Sequence, residues 1–158
     1  MVSPLDESRL LQTGDIAPDF VGQALIGDRQ VELALSGPEL VGKKIILAFY
    51  PKDSTPGCTR EMCDFSAQIK EFAGAGWQII GVSCDSIDSH RRFAAKNGLQ
   101  QILIADTGGN IGRKYGVMAN GKATASRVLY LIDAERIVQH VHQGMPDMQA
   151  LLQIASLI

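Results

Sequence analysis

The run Lys44-Ile-Ile-Leu-Ala-Phe49 is apolar almost throughout and rich in β-branched and aromatic residues, the pattern of a strand buried on both faces. It is cut off at once. Pro51 has no N–H to offer a ladder, and Pro56-Gly57 forces a tight loop. Beyond the loop, Met62, Phe65, Ile69 and Phe72 recur at spacings of three and four, which is a helical stripe. A central strand feeding a helix through a short bent loop therefore organises the chain, and Cys58 stands at the helix entry.

The first turn of a helix leaves N–H groups without partners and carries the positive end of the helix dipole. Both stabilise a thiolate, so cysteines at such positions titrate below their free value of about 8.5. Lys52 and Arg60 are close enough in sequence to add positive field. The alternative is a buried structural cysteine, for which a polar, Pro/Gly-bent loop is a poor setting.

At 158 residues the chain has room for one domain with a full core, read as 1–158 with a polar lead-in over 1–12, either a short helix or a mobile tail. With 46% hydrophobic and 20% charged residues it reads as a soluble globular protein. A net charge of −2 gives no strong pull toward nucleic acid or anionic lipid. No segment approaches the roughly 20 apolar residues that span a bilayer. The first residues carry acids and lack the apolar core of a signal peptide. Three cysteines make a poor disulfide framework and suit reduced thiols in the cytoplasm.

In order, the pattern predicts a hairpin of 20–26 and 30–35 about Gly27-Asp28, a turn at Ser36-Gly-Pro-Glu-Leu40 opened by Pro38, and a strand over 44–50. A helix follows over 58–73, ended by Gly74 and Gly76. Trp77–Ser83 is a second buried strand, then a helix capped by Asp85 or Ser86 runs to Asn97-Gly98. A strand at 102–105, a helical turn at 111–115, a hairpin of 126–132 and 136–143, and a C-terminal helix opened by Met145-Pro-Asp147 complete the chain. This is an α/β layered domain with a mixed sheet and right-handed crossovers between parallel strands.

Pro51-x-x-x-Thr55-x-x-Cys58 resembles the active-site motif of the peroxiredoxins. The longer run from Phe49 to Phe65, with Cys58-Thr-x-x-x-Cys63, is similar to the bacterioferritin comigratory protein branch, also called the Q type. The flanks agree: Gly14-Asp15-x-Ala17-Pro18-Asp19-Phe20, Gly81-Val82-Ser83-x-Asp85-Ser86 with Ser89-His90, and Arg127-x-x-Tyr130-Leu131-Ile132-Asp133. The resemblance spans nearly all the chain after residue 12 and implies a thioredoxin-like fold, a mixed central sheet with helices on both faces. It also implies an antioxidant thiol peroxidase, without a cofactor, that reduces hydrogen peroxide and small organic hydroperoxides.

On that resemblance Cys58 is the peroxidatic thiol, oxidised to a sulfenic acid. The N–H groups of Gly57 and Cys58 bind the peroxide oxygens where charge develops. Thr55 offers a hydroxyl that donates and accepts, and Pro51 shapes the pocket and excludes water. Arg127, by itself an ordinary surface residue, becomes the pocket arginine that stabilises the thiolate. Cys63 becomes the resolving thiol of an intramolecular disulfide recycled by thioredoxin or a similar dithiol; otherwise it is a buried helix-face cysteine. Residues five apart on a helix have Cα atoms about 8.6 Å apart, and a disulfide tolerates little beyond about 7 Å. Resolution therefore requires the helix to open.

Cys84 reads as a small packing residue at a strand end. His90 reads as a helix-surface residue near the site, and Asp53, Glu61 and Asp64 as solvated carboxylates, with Glu61 able to order the loop. His140 and His142 share a strand face, but the cysteine and histidine spacing lacks a second ligand pair, so no metal site is assigned. Two other readings stay open: a redox sensor that oxidises stoichiometrically, and a structural zinc module. No further cysteine follows in a C-terminal extension, so a monomer is expected.

Overall fold

Successive residues of a strand point to opposite faces, so a strand that is apolar throughout needs cover on both sides. The computed structural model, which describes residues 9–119 and 121–158, supplies that cover. Its elements are β1 (Val21–Ile26), β2 (Arg29–Ala34), β3 (Lys44–Phe49), α1 (Pro56–Ala67), α2 (Ile69–Gly74), β4 (Trp77–Ser83) and α3 (Ile87–Asn97). Then come β5 (Ile102–Ala105), α4 (Asn110–Lys114), β6 (Val128–Ile132), β7 (Val138–Gln143) and α5 (Met148–Ala155). All strands join one seven-stranded sheet in the order β2-β1-β5-β4-β3-β6-β7. β3, β4 and β5 are mutually parallel, and the remaining pairings are antiparallel. The fold is the α/β, thioredoxin-like one.

Alternation along each central strand divides the core. Ile45, Leu47, Phe49, Ile80, Val82, Ile104 and Tyr130 meet Phe20, Ile111 and Tyr115 on one face. Ile46, Ala48, Ile79, Leu103 and Leu129 meet Met62, Phe65, Phe72, Phe93 and Leu151 on the other. Helices thus lie on both faces, α4 alone on the first and α1, α2, α3 and α5 on the second. Of the lead-in, only residues 9–12 are described, so the choice between short helix and mobile tail over 1–8 lies outside the described residues. Leu11 is buried and its N–H donates to the Tyr130 hydroxyl at 3.1 Å, so the end of the lead-in is docked.

The helix expected over 58–73 is two helices. It begins earlier, with Pro56 in its first turn and Thr55 as N-cap, and it breaks at Gln68. Proline is well suited to that first turn because its missing N–H has no helical partner to lose. No Pro or Gly marks the break at Gln68, so the local sequence gave no sign of it. Other ends fall where the capping chemistry puts them. The Ser86 hydroxyl accepts from Ser89 N–H, Gly98 closes α3 at φ 61°, and Asp147 accepts from Gln149 and Ala150.

Register positions the site. β3 pairs antiparallel with β6, Phe49 opposite Val128, so Arg127 lies beside the chain as it leaves β3 for the active-site loop. Phe49 also pairs with Val82, so the end of β4 reaches the same edge. Gly81 lets α1 sit close on β4: a Cβ there would come within 2.9 Å of Met62 Sδ and 3.0 Å of Leu103 Cδ2. Gly81→Ala should therefore destabilise the fold by roughly 1–3 kcal/mol through overpacking. Urea denaturation checks this, and unchanged stability would mean that α1 has slack over β4.

Candidate active site

Cys58 occupies the third position of α1, after Pro56 and Gly57. The first helical bond of α1 runs from Thr59 N–H to the Thr55 carbonyl at 2.9 Å. The N–H groups of Gly57 and Cys58 precede it and have no helical acceptor. Among the described residues no other group accepts from them, and they stand at the positive end of the helix beside the sulfur.

Arg127 reaches this point from 69 residues away. Its Nη2 donates to Cys58 Sγ at 3.3 Å, and its Nη1 donates to Glu61 Oε1 at 2.6 Å. The Gly144 N–H bonds the Arg127 carbonyl at 2.8 Å, fixing the backbone beneath the side chain. A Cβ on Gly57 would stand 3.2 Å from Arg127 Nη2 and 3.6 Å from Met145 Cε, so glycine keeps room for the guanidinium. Burial works against the charge on Arg127, but the bonds to Cys58 and Glu61 outweigh it and its pKa is raised. It is a fixed cation between a sulfur and a carboxylate.

Other expected residues fall at the same edge of the sheet. Thr55 Oγ1 donates to the Lys52 carbonyl at 2.8 Å, which commits its proton and leaves its lone pairs to accept. Pro51 is half-buried where the loop leaves Tyr50. Cys63 lies half-buried further along α1, and all three cysteines are free thiols. With Cys58 and Cys63 inside one continuous helix, no disulfide can close until that segment unwinds.

Four readings of individual residues need correction. Cys58 is only 1% exposed and packs with Met62 and Leu129, so it is buried after all. What separates it from an inert core cysteine is the guanidinium and the free N–H pair. Glu61 is 1% exposed, not solvated: it lies three residues after Cys58, on the buried face with Met62 and Phe65. That spacing was the available signal, a carboxylate within an apolar helical stripe. Asp53 is likewise buried, and His90 is fully covered, three residues before the buried Phe93. Cys84 is half-buried with Sγ 3.8 Å from Met118 Sδ; burial, then Asp106 and Asp85, pushes its thiol up. His140 and His142 sit half-buried on β7, and no group of three metal-ligating side chains gathers among the described residues.

Burial pushes the Glu61 carboxyl up to about 7 against the pull of Arg127, with a small further push from Asp64. The folded state then holds a proton that the unfolded chain releases above about 4.5, so this group's contribution falls as pH rises from about 4.5 to about 7. The effect reaches roughly 3 kcal/mol. Glu61→Gln lacks that titration, so its stability relative to wild type should rise between pH values below and above this window. Parallel urea profiles for the two proteins would refute it.

The sequence profile of the AhpC/TSA family matches residues 13–141. A Coxiella burnetii protein assigned the name peroxiredoxin bcp is 40% identical over 137 residues, covering 83% of this chain and 87% of the relative. A chloroplastic peroxiredoxin Q of Gentiana triflora is 39% identical over 132 residues, 83% of this chain and 58% of the relative. The crystal structure of peroxidoxin BcpB from Mycobacterium tuberculosis superposes with a TM-score of 0.83 at 28% identity, covering 94% of this chain and 98% of the other. A thiol set between helix-terminal N–H groups and a guanidinium is thus found here in a chain with the sequence and fold of known peroxiredoxins. The chain belongs to the AhpC/TSA family, and within it to the bacterioferritin comigratory, or Q-type, branch of the peroxiredoxins, the thiol peroxidases.

Proposed function

We propose that this thiol peroxidase works through Cys58 as peroxidatic thiol and Cys63 as resolving thiol, and that thioredoxin or a similar dithiol recycles it. The observation that carries the reading is the Arg127 guanidinium, 3.3 Å from Cys58 Sγ at the helix entry where Gly57 and Cys58 present their first-turn N–H groups. The Cys58 thiolate attacks the terminal peroxide oxygen. An S–O bond forms, the O–O bond breaks, and the departing alkoxide or hydroxide takes up a proton. Arg127 and the two N–H groups face the oxygens on which negative charge collects. Thr55, its own proton bonded to Lys52, accepts from the peroxide O–H, and Pro51 walls the pocket.

In the second step Cys63 attacks the Cys58 sulfenic acid; the S–S bond forms and the hydroxyl leaves as water. An external dithiol then reduces the disulfide. Hydrogen peroxide and small organic hydroperoxides are the substrates in this reading, the protein acts as a monomer, and its three free thiols suit the reducing cytoplasm. Peroxide consumption with thioredoxin tests the cycle. Cys58→Ser should abolish turnover, and Arg127→Ala should slow Cys58 oxidation by about tenfold or more. Cys84→Ser should keep most activity, and peptide mapping should find the dominant disulfide between 58 and 63. A dominant bond to Cys84 would make Cys84 the resolving thiol.

Opening α1 has an energetic consequence. Met62 and Phe65 are fully buried, and exposing them costs about 1.5–3 kcal/mol each. A cross-link over so short a loop restrains the unfolded chain by only about 2 kcal/mol. The disulfide form should therefore be the less stable one, with amides 59–66 losing hydrogen-exchange protection on oxidation. Equal protection in both redox forms would sink the unwinding step.

A further inference from the structure

Delivery of Thr55, Gly57 and Cys58 to fixed places falls to the loop of residues 50–55, which has few backbone bonds of its own. Tyr50 N–H continues the sheet to the Val82 carbonyl at 2.9 Å, and Asp53 N–H donates to Asp85 Oδ2 at 2.8 Å. Between Asp53 and Thr55 stands Ser54, at φ 64°. A side chain in that left-handed region costs roughly 1 kcal/mol or more and stays there only where its surroundings hold it. What holds it is the residue before it.

The Asp53 carboxylate turns inward. Its Oδ1 accepts from the Tyr50 hydroxyl at 2.7 Å, and its Oδ2 accepts from the Ser89 hydroxyl at 2.8 Å. Oδ2 also lies 2.7 Å from His90 Nδ1, with both side chains almost wholly buried. The other ring nitrogen, Nε2, lies 2.9 Å from the Ile104 carbonyl oxygen. A carbonyl only accepts, so one proton sits on Nε2. Nδ1 and Oδ2 cannot bond without a second proton between them. The ring thus bridges the loop, through α3, to the end of β5. Buried pairs of this kind add little stability over apolar packing, so stability alone does not account for this one. None of the hydrogen bonds made by these side chains reaches Cys58.

We propose that Asp53 and His90 are positioning residues of the peroxidase reaction. They fix the loop against the strain at Ser54, so that the Thr55 hydroxyl and the N–H groups of Gly57 and Cys58 stay aligned on the Cys58 sulfur. Peroxide attack depends on that alignment, because the sulfur and the donors must meet two oxygens at once. Alkylation by iodoacetamide needs only the thiolate. The proposal rests on the assignment of Cys58 as peroxidatic thiol.

The ratio of two rates at Cys58, oxidation by hydrogen peroxide and alkylation by iodoacetamide, separates alignment from thiol reactivity and from general loosening. His90→Phe keeps a ring but removes both bridging nitrogens, and should lower the ratio about tenfold. Tyr50→Phe and Ser89→Ala each delete one hydroxyl on Asp53 and should lower it about threefold, which keeps the test available if His90→Phe does not fold. His90→Gln retains a donor toward Asp53 and should recover part of the loss. Ratios equal to wild type in the folded variants, or both rates falling by the same factor, would overturn the proposal. Wild type in the same experiment distinguishes the two layers: if peroxide does not oxidise Cys58 there, the assignment of Cys58 fails first.

Discussion

One guanidinium, held between a sulfur and a carboxylate, ties the first turns of α1 to the start of β6. Arg127 bonds Cys58 with one nitrogen and Glu61 with the other, and both partners lie on α1. A fixed cation in a partly covered site acts through a lower effective dielectric than one in water. Glu61 keeps it in place, and the fork of the guanidinium lets one side chain serve both partners. The contact exists only because β3 and β6 run antiparallel with Phe49 opposite Val128.

The same helix has two requirements that oppose each other. Its first turn must be wound for Gly57 and Cys58 to present their N–H groups, yet a bond between residues 58 and 63 demands that it open. Contacts that hold α1 are therefore also contacts that resist the proposed second step. Met62 and Phe65 are buried, and Gln101 Nε2 donates to the Met62 carbonyl at 2.9 Å while its Oε1 accepts from the Ser66 hydroxyl. The break at Gln68 limits how far an opening would have to spread, since α2 starts afresh beyond it. Phe72 on α2 stays fully buried against the sheet.

Much of this was legible in the chain. Continuous apolar runs marked the central strands because those strands are covered on both faces, and Trp77–Ser83 and Ile102–Ala105 have the expected bounds. Local cap chemistry placed both ends of α3 and the start of α5, because Ser86, Gly98 and Asp147 satisfy backbone groups within a few residues, whereas α5 stops at Ala155, short of the expected Ile158. The loop and helix entry at Cys58 were equally local. Arg127 was recognisable by resemblance alone, since no nearby residue signals its use.

Burial of polar side chains was the part that could not be read directly. Asp53, Glu61 and His90 have the composition of a solvated surface, but each finds a partner more than 30 residues away in the chain, and only those partners make burial tolerable. The division of the long helix at Gln68 left no local mark either. The sequence by itself determined which segments are strands and helices and where the reactive thiol enters a helix, because backbone hydrogen bonding and apolar periodicity act over a few residues. Tertiary structure decided what faces the thiol and which carboxylates are buried, because a charge is admitted to the core only where pairing in three dimensions compensates its lost hydration.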